Sequence, residues 1–159
     1  MQVFKADLEN WPEIERLYEK FCLGPFTSRF DLNKEGLRRY FKLSLVDPRY
    51  AVLCVREDQD LVGLSIVYEI YAPDIFAGPV PQSFVHVCYI DPKAPRAAGD
   101  LMNAAVEEWG RMMKHNYVTA NVRVSSKNPF KLRAIDKRYG FKPLYITIGK
   151  PLEGGKNDG

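Results

Sequence analysis

FVHVCYIDPKAPRAAG, residues 84–99, continued after Asp100 by LMNAAVEEWGRMMKH, residues 101–115, is the stretch that decides the fold. Phe84 to Ile90 is apolar, β-branched and aromatic, and short enough for a strand rather than a helix. Asp91-Pro92 and Pro95 stop it, because proline has no N–H to give to a ladder. Arg96, Ala97, Ala98 and Gly99 then open a helix. Leu101, Ala105, Trp109 and Met112 fall on one stripe of it, and Met102, Val106, Trp109 and Met113 on the stripe beside it. A helix start leaves about four backbone N–H groups without partners and carries partial positive charge. Small residues at 97–99 let an anion approach those amides, and Lys93 and Arg96 add full charges, so the junction suits a phosphate or pyrophosphate. A plain strand-to-helix turn with its basic residues in water would show the same spacing.

The rest of the composition fits one ordinary globular domain. The chain has 159 residues, of which 46% are hydrophobic and 27% charged, which argues against disorder. A chain of this length buries roughly 70% of its unfolded surface and needs no disulfide or metal to fold. Cys22, Cys54 and Cys88 are widely separated, and an odd number of thiols without a CxxC motif points to reduced cysteines and a cytoplasmic setting. No apolar run has signal-peptide or membrane-spanning length. The net charge of +3 suits local phosphate binding better than a nucleic-acid surface. A basic cluster, Lys127, Lys131, Arg133, Lys137 and Arg138, is expected to be a solvated face or to meet a ligand phosphate.

Working outward, Val3 to Ala6 reads as a short strand. Asp7 or Asn10 can cap a helix with Pro12 in its first turn, and Ile14, Leu17, Tyr18 and Phe21 form its apolar stripe. Gly24-Pro25 ends it. Asn33 can cap a second helix carrying Leu37, Tyr40, Phe41 and Leu45, which Asp47-Pro48 ends. YAVLCV (50–55) and LVGLSIVYEIY (61–71) are strand-like, and the polar link REDQD between them reads as a hairpin. Residues 72–83, with three prolines and a glycine, read as a solvent-facing loop. After the long helix, which is expected to end near His115-Asn116, Tyr117 to Val124 is a strand and 125–129 a polar loop. Residues 130–139 form a short basic helix with Gly140 at its C′ position. Residues 141–150 form a last strand, 153–159 a disordered tail, and residues 1–152 a single domain. The order β-α-α-β-β-β-α-β-α-β implies a mixed, mostly antiparallel sheet with a central βαβ unit.

This order and three local patterns resemble the GNAT superfamily of N-acetyltransferases over residues 2–150. The opening VFKADLENWPEIERLYEKF resembles the family's first strand and helix. Ile90, Asp91 and Pro92 match the V-x-P of the family's acetyl-CoA signature, and Arg96 to Gly99 match its R-x-x-G. Asn128 and Gly140-Phe141 meet the pattern near the end. The resemblance implies that amides around Ala97 to Leu101, Asp100 included, cradle the CoA pyrophosphate. It also implies that the main chain at Tyr89 and Ile90 lies along the pantetheine arm, and that Asn128 bonds CoA. The implied reaction is direct attack of an unidentified primary amine on acetyl-CoA.

The sequence departs from the family in three places. One extra residue separates Pro92 from Arg96, and Leu101 stands where the signature ends in glycine or alanine, with Asp100 beside it. A carboxylate there favours the helix and repels a pyrophosphate. Third, Asp136 stands where many members carry a tyrosine. Direct attack needs a base for the ammonium and an acid for the thiolate. A thiolate of pKa about 8.5 is well matched by a tyrosine of pKa about 10. Asp136 can give that proton only with a strongly raised pKa, and Tyr139, one helical turn on, can substitute or can simply pack on the sheet. His86 is the candidate base, on the deciding strand and on one face with Cys88. Glu69 is the other option, although an exposed strand carboxylate explains it as well. Cys88 reads as a small core residue. The departures also admit a catalytically impaired GNAT-fold protein with a binding or structural role, of the kind that occurs in tailed phages. The acceptor and the oligomeric state, a homodimer included, stay open.

Overall fold

The computed structural model describes residues 1–22, 33–71, 81–120, 138 and 140, and distinguishes two compact units, Met1–Asn121 and Val122–Gly159. In the first unit a five-stranded sheet has the order β1-β2-β3-β4-β5. Its strands are β1 (Gln2–Lys5), β2 (Tyr50–Glu57), β3 (Asp60–Tyr71), β4 (Pro81–Ile90) and β5 (Tyr117–Ala120). Three helices accompany them among the described residues: α1 (Trp11–Cys22), α2 (Lys34–Val46) and α3 (Ala97–Met112). Strands β1 to β4 pair antiparallel, and β5 joins β4 in parallel across the α3 crossover, as the element order requires. The expected helix end at Gly24-Pro25, the loop from Phe26 to Leu32, residues 72–80 of the proline-rich loop and the end of the 117–124 strand lie outside the described residues. So do the elements expected over 125–137 and 141–150, and the tail. In the second unit Arg138 is helical and Gly140 has φ +71°, the left-handed conformation expected of a C′ glycine.

The helix starts follow their side chains. Asp7 accepts from the Glu9 amide at 2.9 Å and Asn10 accepts from the Asp7 amide at 3.0 Å. Both sequence candidates therefore act, in a reciprocal box around a short 3₁₀ turn that leads into α1. Asn33 caps α2, accepting from Gly36 N at 2.8 Å.

Both faces of the sheet are covered, which is why β2 and β3 read as nearly continuous apolar runs. Ile14, Leu17 and Tyr18 of α1 and Phe41 of α2 bury Val52, Cys54, Leu64 and Ile66 on one face. Ala98, Met102, Val106 and Trp109 of α3 bury Ala51, Leu53, Val55 and Val67 on the other. Each large aliphatic side chain buried this way stabilises the fold by about 2 kcal/mol. Of the two stripes on α3, the one through Met102 and Val106 is the core, while Met112 and Met113 are exposed.

Two strand boundaries differ from the expectation. The β2–β3 turn is only Asp58-Gln59, with Asp58 at φ +53°, which aspartate tolerates. Strand β4 begins at Pro81 rather than Phe84, so Pro81 to Ser83 belong to the sheet and not to the loop. Proline at the first strand position gives up no ladder bond that the strand needs. Its carbonyl accepts from Asn116 N at 3.0 Å.

The register of β4 also slips. Ile66 faces Val87 and Val67 faces Val85, which leaves His86 as the extra residue of a β-bulge. His86 therefore turns to the α1/α2 face, where its ring lies 5.3 Å from that of Tyr40. Cys88, opposite Ser65, lies on the α3 side. The expectation that His86 and Cys88 share a face is corrected, because strict alternation fails at an inserted residue. Cys88 is exposed and not a core residue, whereas the Cys54 thiol is buried, and burial pushes its pKa up to about 12.

Helix α3 stops at Met112, before the His115-Asn116 end that the sequence suggests. Lys114 N donates to Arg111 O at 3.0 Å and His115 N to Gly110 O at 2.9 Å. This is a Schellman pattern, and it places Lys114 at φ +58°, in the left-handed region that glycine favours. Lys114→Gly is expected to stabilise the protein by about 1 kcal/mol in denaturant melts. A fall in midpoint would show that Lys114 makes an offsetting contact.

Candidate functional site

Strand β4 and the start of α3 carry most of the residues singled out from sequence. At the end of β4, Asp91 accepts Lys20 Nζ of α1 at 2.8 Å and the Lys93 amide at 3.0 Å. The Lys20 ammonium, and next the Lys93 amide, hold the Asp91 carboxyl below the usual carboxylate range. Tyr89 packs edge-on against Phe21 of α1 at 5.9 Å. The strand end is thus pinned to α1, and the basic loop leaves from a fixed point.

The start of α3 has no side-chain cap: Arg96 occupies the N-cap position in helical conformation with φ −54° and ψ −32°. The Ala98 amide donates to Pro95 O at 2.9 Å and the Gly99 amide to Arg96 O at 3.2 Å, tightening the first turn. The amides of Arg96 and Ala97 have no partner among the described residues. Arg96 and Ala97 are exposed, Ala98 is buried against the sheet, Gly99 and Leu101 are half-buried, and Asp100 is exposed in the first turn. Of the amides expected to face an anion, those of Ala98 and Gly99 are taken up by the turn itself. Asn128, Asp136 and Tyr139 lie outside the described residues.

His86 sits in a ring of aromatics that the sequence reading missed. Tyr50 and Tyr68 face each other across β2 and β3 with centroids 5.1 Å apart, and Tyr68 lies 5.4 Å from Phe84. The His86 imidazole lies 5.9 Å from Tyr68, and Tyr40 of α2 closes the ring 6.2 Å from Tyr50. This crowding desolvates the imidazole and lowers its pKa below the ordinary 6.5, so it is neutral at pH 7. Burial, then the neighbouring Tyr50, pushes Tyr40 up to about 12. Tyr50, Tyr68 and Phe84 lie on three different strands, and only the register across the sheet brings them to His86.

Glu69 has a different place. It lies on the other face, opposite Ser83, and its Oε2 is 3.3 Å from His115 Nε2. His115 Nδ1 is 2.8 Å from Ser83 Oγ. Tyr71, and next His115, holds the Glu69 carboxyl below its usual range. The line-up resembles a hydrolytic triad, but Ser83 is 0% exposed and the His115 side chain 1%, so no substrate reaches the hydroxyl. It is a clamp between β3, β4 and the end of α3. Gly110 makes room for it, because a methyl there would sit 2.8 Å from Ser83 Oγ.

Among the described residues the Tyr40 hydroxyl is buried and meets no partner at hydrogen-bond geometry, although Ser44 lies close enough to oppose the upward shift of its pKa. Ser44, one turn on, spends its own hydroxyl on the Tyr40 carbonyl at 2.9 Å. A buried hydroxyl without a partner keeps its full desolvation cost. Tyr40→Phe is therefore expected to leave stability unchanged or to raise it by about 1 kcal/mol. A loss of that size in the same melt would show that the hydroxyl is bonded.

No protein-family model matches the chain. No curated protein sequence matches it either. Solved structures do. A point mutant of the BH1408 protein from Bacillus halodurans superposes with a TM-score of 0.75 at 16% identity, covering 96% of this chain and 99% of that one. The aminoglycoside 6'-N-acetyltransferase AAC(6')-IG from Acinetobacter haemolyticus gives 0.70 at 11% identity over 96% and 100%. AAC(6')-Iy, in complex with the bisubstrate analogue CoA-S-monomethyl-acetylneamine, gives 0.69 at 12% identity over 95% and 97%. A mixed sheet with one parallel crossover, matched over nearly the full length of such enzymes, is the fold of the GNAT acetyltransferases.

Proposed function

We propose that the protein is an acyl-CoA-dependent N-acyltransferase that moves an acetyl group from acetyl-CoA to a primary amine. The observation that carries this reading is the uncapped start of α3, where two amides without described partners meet the charges of Arg96 and Lys93 directly after β4. A diphosphate fits there, because unpaired N–H groups and the helix dipole favour an anion and Ala97 offers no bulk. The neighbour bound to a CoA bisubstrate analogue shows that the fold accommodates that class of ligand. In this reading Tyr89 and Ile90 line the path of the pantetheine arm, and Ala98, Gly99, Asp100 and Leu101 shape the turn under the diphosphate.

Bound acetyl-CoA would supply an electrophilic thioester carbonyl. His86 takes the proton from the acceptor ammonium, which its neutral imidazole can do at pH 7. The amine nitrogen then forms the C–N bond as the C–S bond breaks; the departing thiolate takes a proton from Tyr139, or from Asp136 if its pKa is raised, the nitrogen's surplus proton restores that acid, and His86 returns its own proton to solvent. A His86 pKa below 6.5 keeps the base unprotonated down to lower pH, so activity falls only as pH drops through that lowered value.

Two measurements test this. Acetyl-CoA at 100 times its Kd stabilises the native state by about 2.7 kcal/mol, so it should raise Tm by several degrees in the native protein and in His86→Ala, but not in Arg96→Glu. An equal shift in Arg96→Glu would remove the diphosphate site. The acid limb of kcat/KM, followed by thiol release, should lie below pH 6.5 and vanish in His86→Ala. A limb above pH 7 would take the base role from His86.

A further inference from the structure

We propose that the acceptor taken by this site is a singly charged primary amine on an aromatic or alkyl body, seated against Tyr50, Tyr68 and His86. The inference rests on the acyltransferase reading and names its substrate class. Four elements, α2, β2, β3 and β4, contribute rings to one patch around the bulge. Tyr50 and Tyr68 are half-buried and His86 is exposed, so the patch has an open side.

Charge decides the class. Among the described residues, the ring contacts of this patch are made by Tyr40, Tyr50, Tyr68, Phe84 and His86, and no carboxylate is hydrogen-bonded to them. The nearby carboxylates are committed elsewhere. Asp47 is bound by Arg49 at 2.7 Å, Glu13 by Arg56, and Glu69 lies on the opposite face beside His115. Arg49, one residue before Tyr50, is paired with Asp47, so the two together bring no net charge to that side. A polycationic amine would have to desolvate several ammonium groups against rings that offer no counter-charge. An arylalkylamine or alkylamine gains by covering the rings, and its one ammonium lies against aromatic faces and beside the imidazole that takes its proton.

The test compares 2-phenylethylamine and hexylamine with spermidine and kanamycin, by thiol release from acetyl-CoA and by NMR shifts of the His86 ring on titration without acetyl-CoA. The first pair should exceed the second at least tenfold in kcat/KM and should alone move the His86 resonances near neutral pH. Tyr68→Leu and Tyr50→Leu, two variants in case one fails to fold, should each lower kcat/KM for 2-phenylethylamine roughly tenfold while leaving the acetyl-CoA thermal shift intact. Preference for spermidine or kanamycin, or no effect of either variant, overturns the inference. Loss of the acetyl-CoA shift in the native protein overturns the acyltransferase reading instead. In that case, and also if no amine turns over, the NMR titration decides: selective binding of the apolar amines upholds the assignment of the patch, and its absence overturns it.

Discussion

One residue too many in β4 sets the geometry of everything around it. Opposite Ile66 and Val67 the strand spends an extra position on His86, and the side-chain alternation inverts there. Without it, strict alternation from Phe84 would turn the strand end from Val87 to Ile90 over, sending Val87 and Tyr89 toward α3. With it, Val87 and Tyr89 pack toward α1 and α2 while Ile90 packs toward α3. The interruption leaves ladder groups to satisfy, and Ser65 donates its hydroxyl to Val87 O at 3.0 Å. A bulge is thus held by a specific bond rather than tolerated, and it aims the one imidazole of the aromatic patch.

The two ends of α3 are treated in opposite ways. Its C-terminal end is closed: Lys114 and His115 satisfy the last carbonyls, and His115 joins Ser83 and Glu69 in an enclosed clamp. Its N-terminal end is left without a side-chain cap, whereas Asn33 caps α2 and Asp7 caps the 3₁₀ turn before α1. The Lys20–Asp91 pair is half in solvent and worth little stability by itself. It still fixes where the basic loop departs from the sheet.

Much of the fold was legible in local chemistry. The capping residues Asp7 and Asn33, the α1 stripe, the apolar runs of β2 and β3, and the strand-loop-helix junction at 84–99 all lie within a few residues of the signals that specify them. The junction's small residues, charges and helix start are adjacent in sequence, which is why the proposed anion site could be read from them. The aromatic patch was not, because Tyr40, Tyr50, Tyr68 and His86 come from four elements. The clamp of Ser83, His115 and Glu69 escaped for the same reason, and Glu69 alone looked like a spare carboxylate.

Sequence by itself determined the element order and the parallel crossover of the described chain, since both follow from periodicity, proline and glycine placement, and helix-end chemistry. Tertiary structure decided which way His86 points, that Cys88 is exposed, and which carboxylates are already spent. A bulge leaves no mark in composition, and strand register is set by pairing across the sheet, so the facing of every residue beyond an inserted one becomes known only when its neighbours are in place.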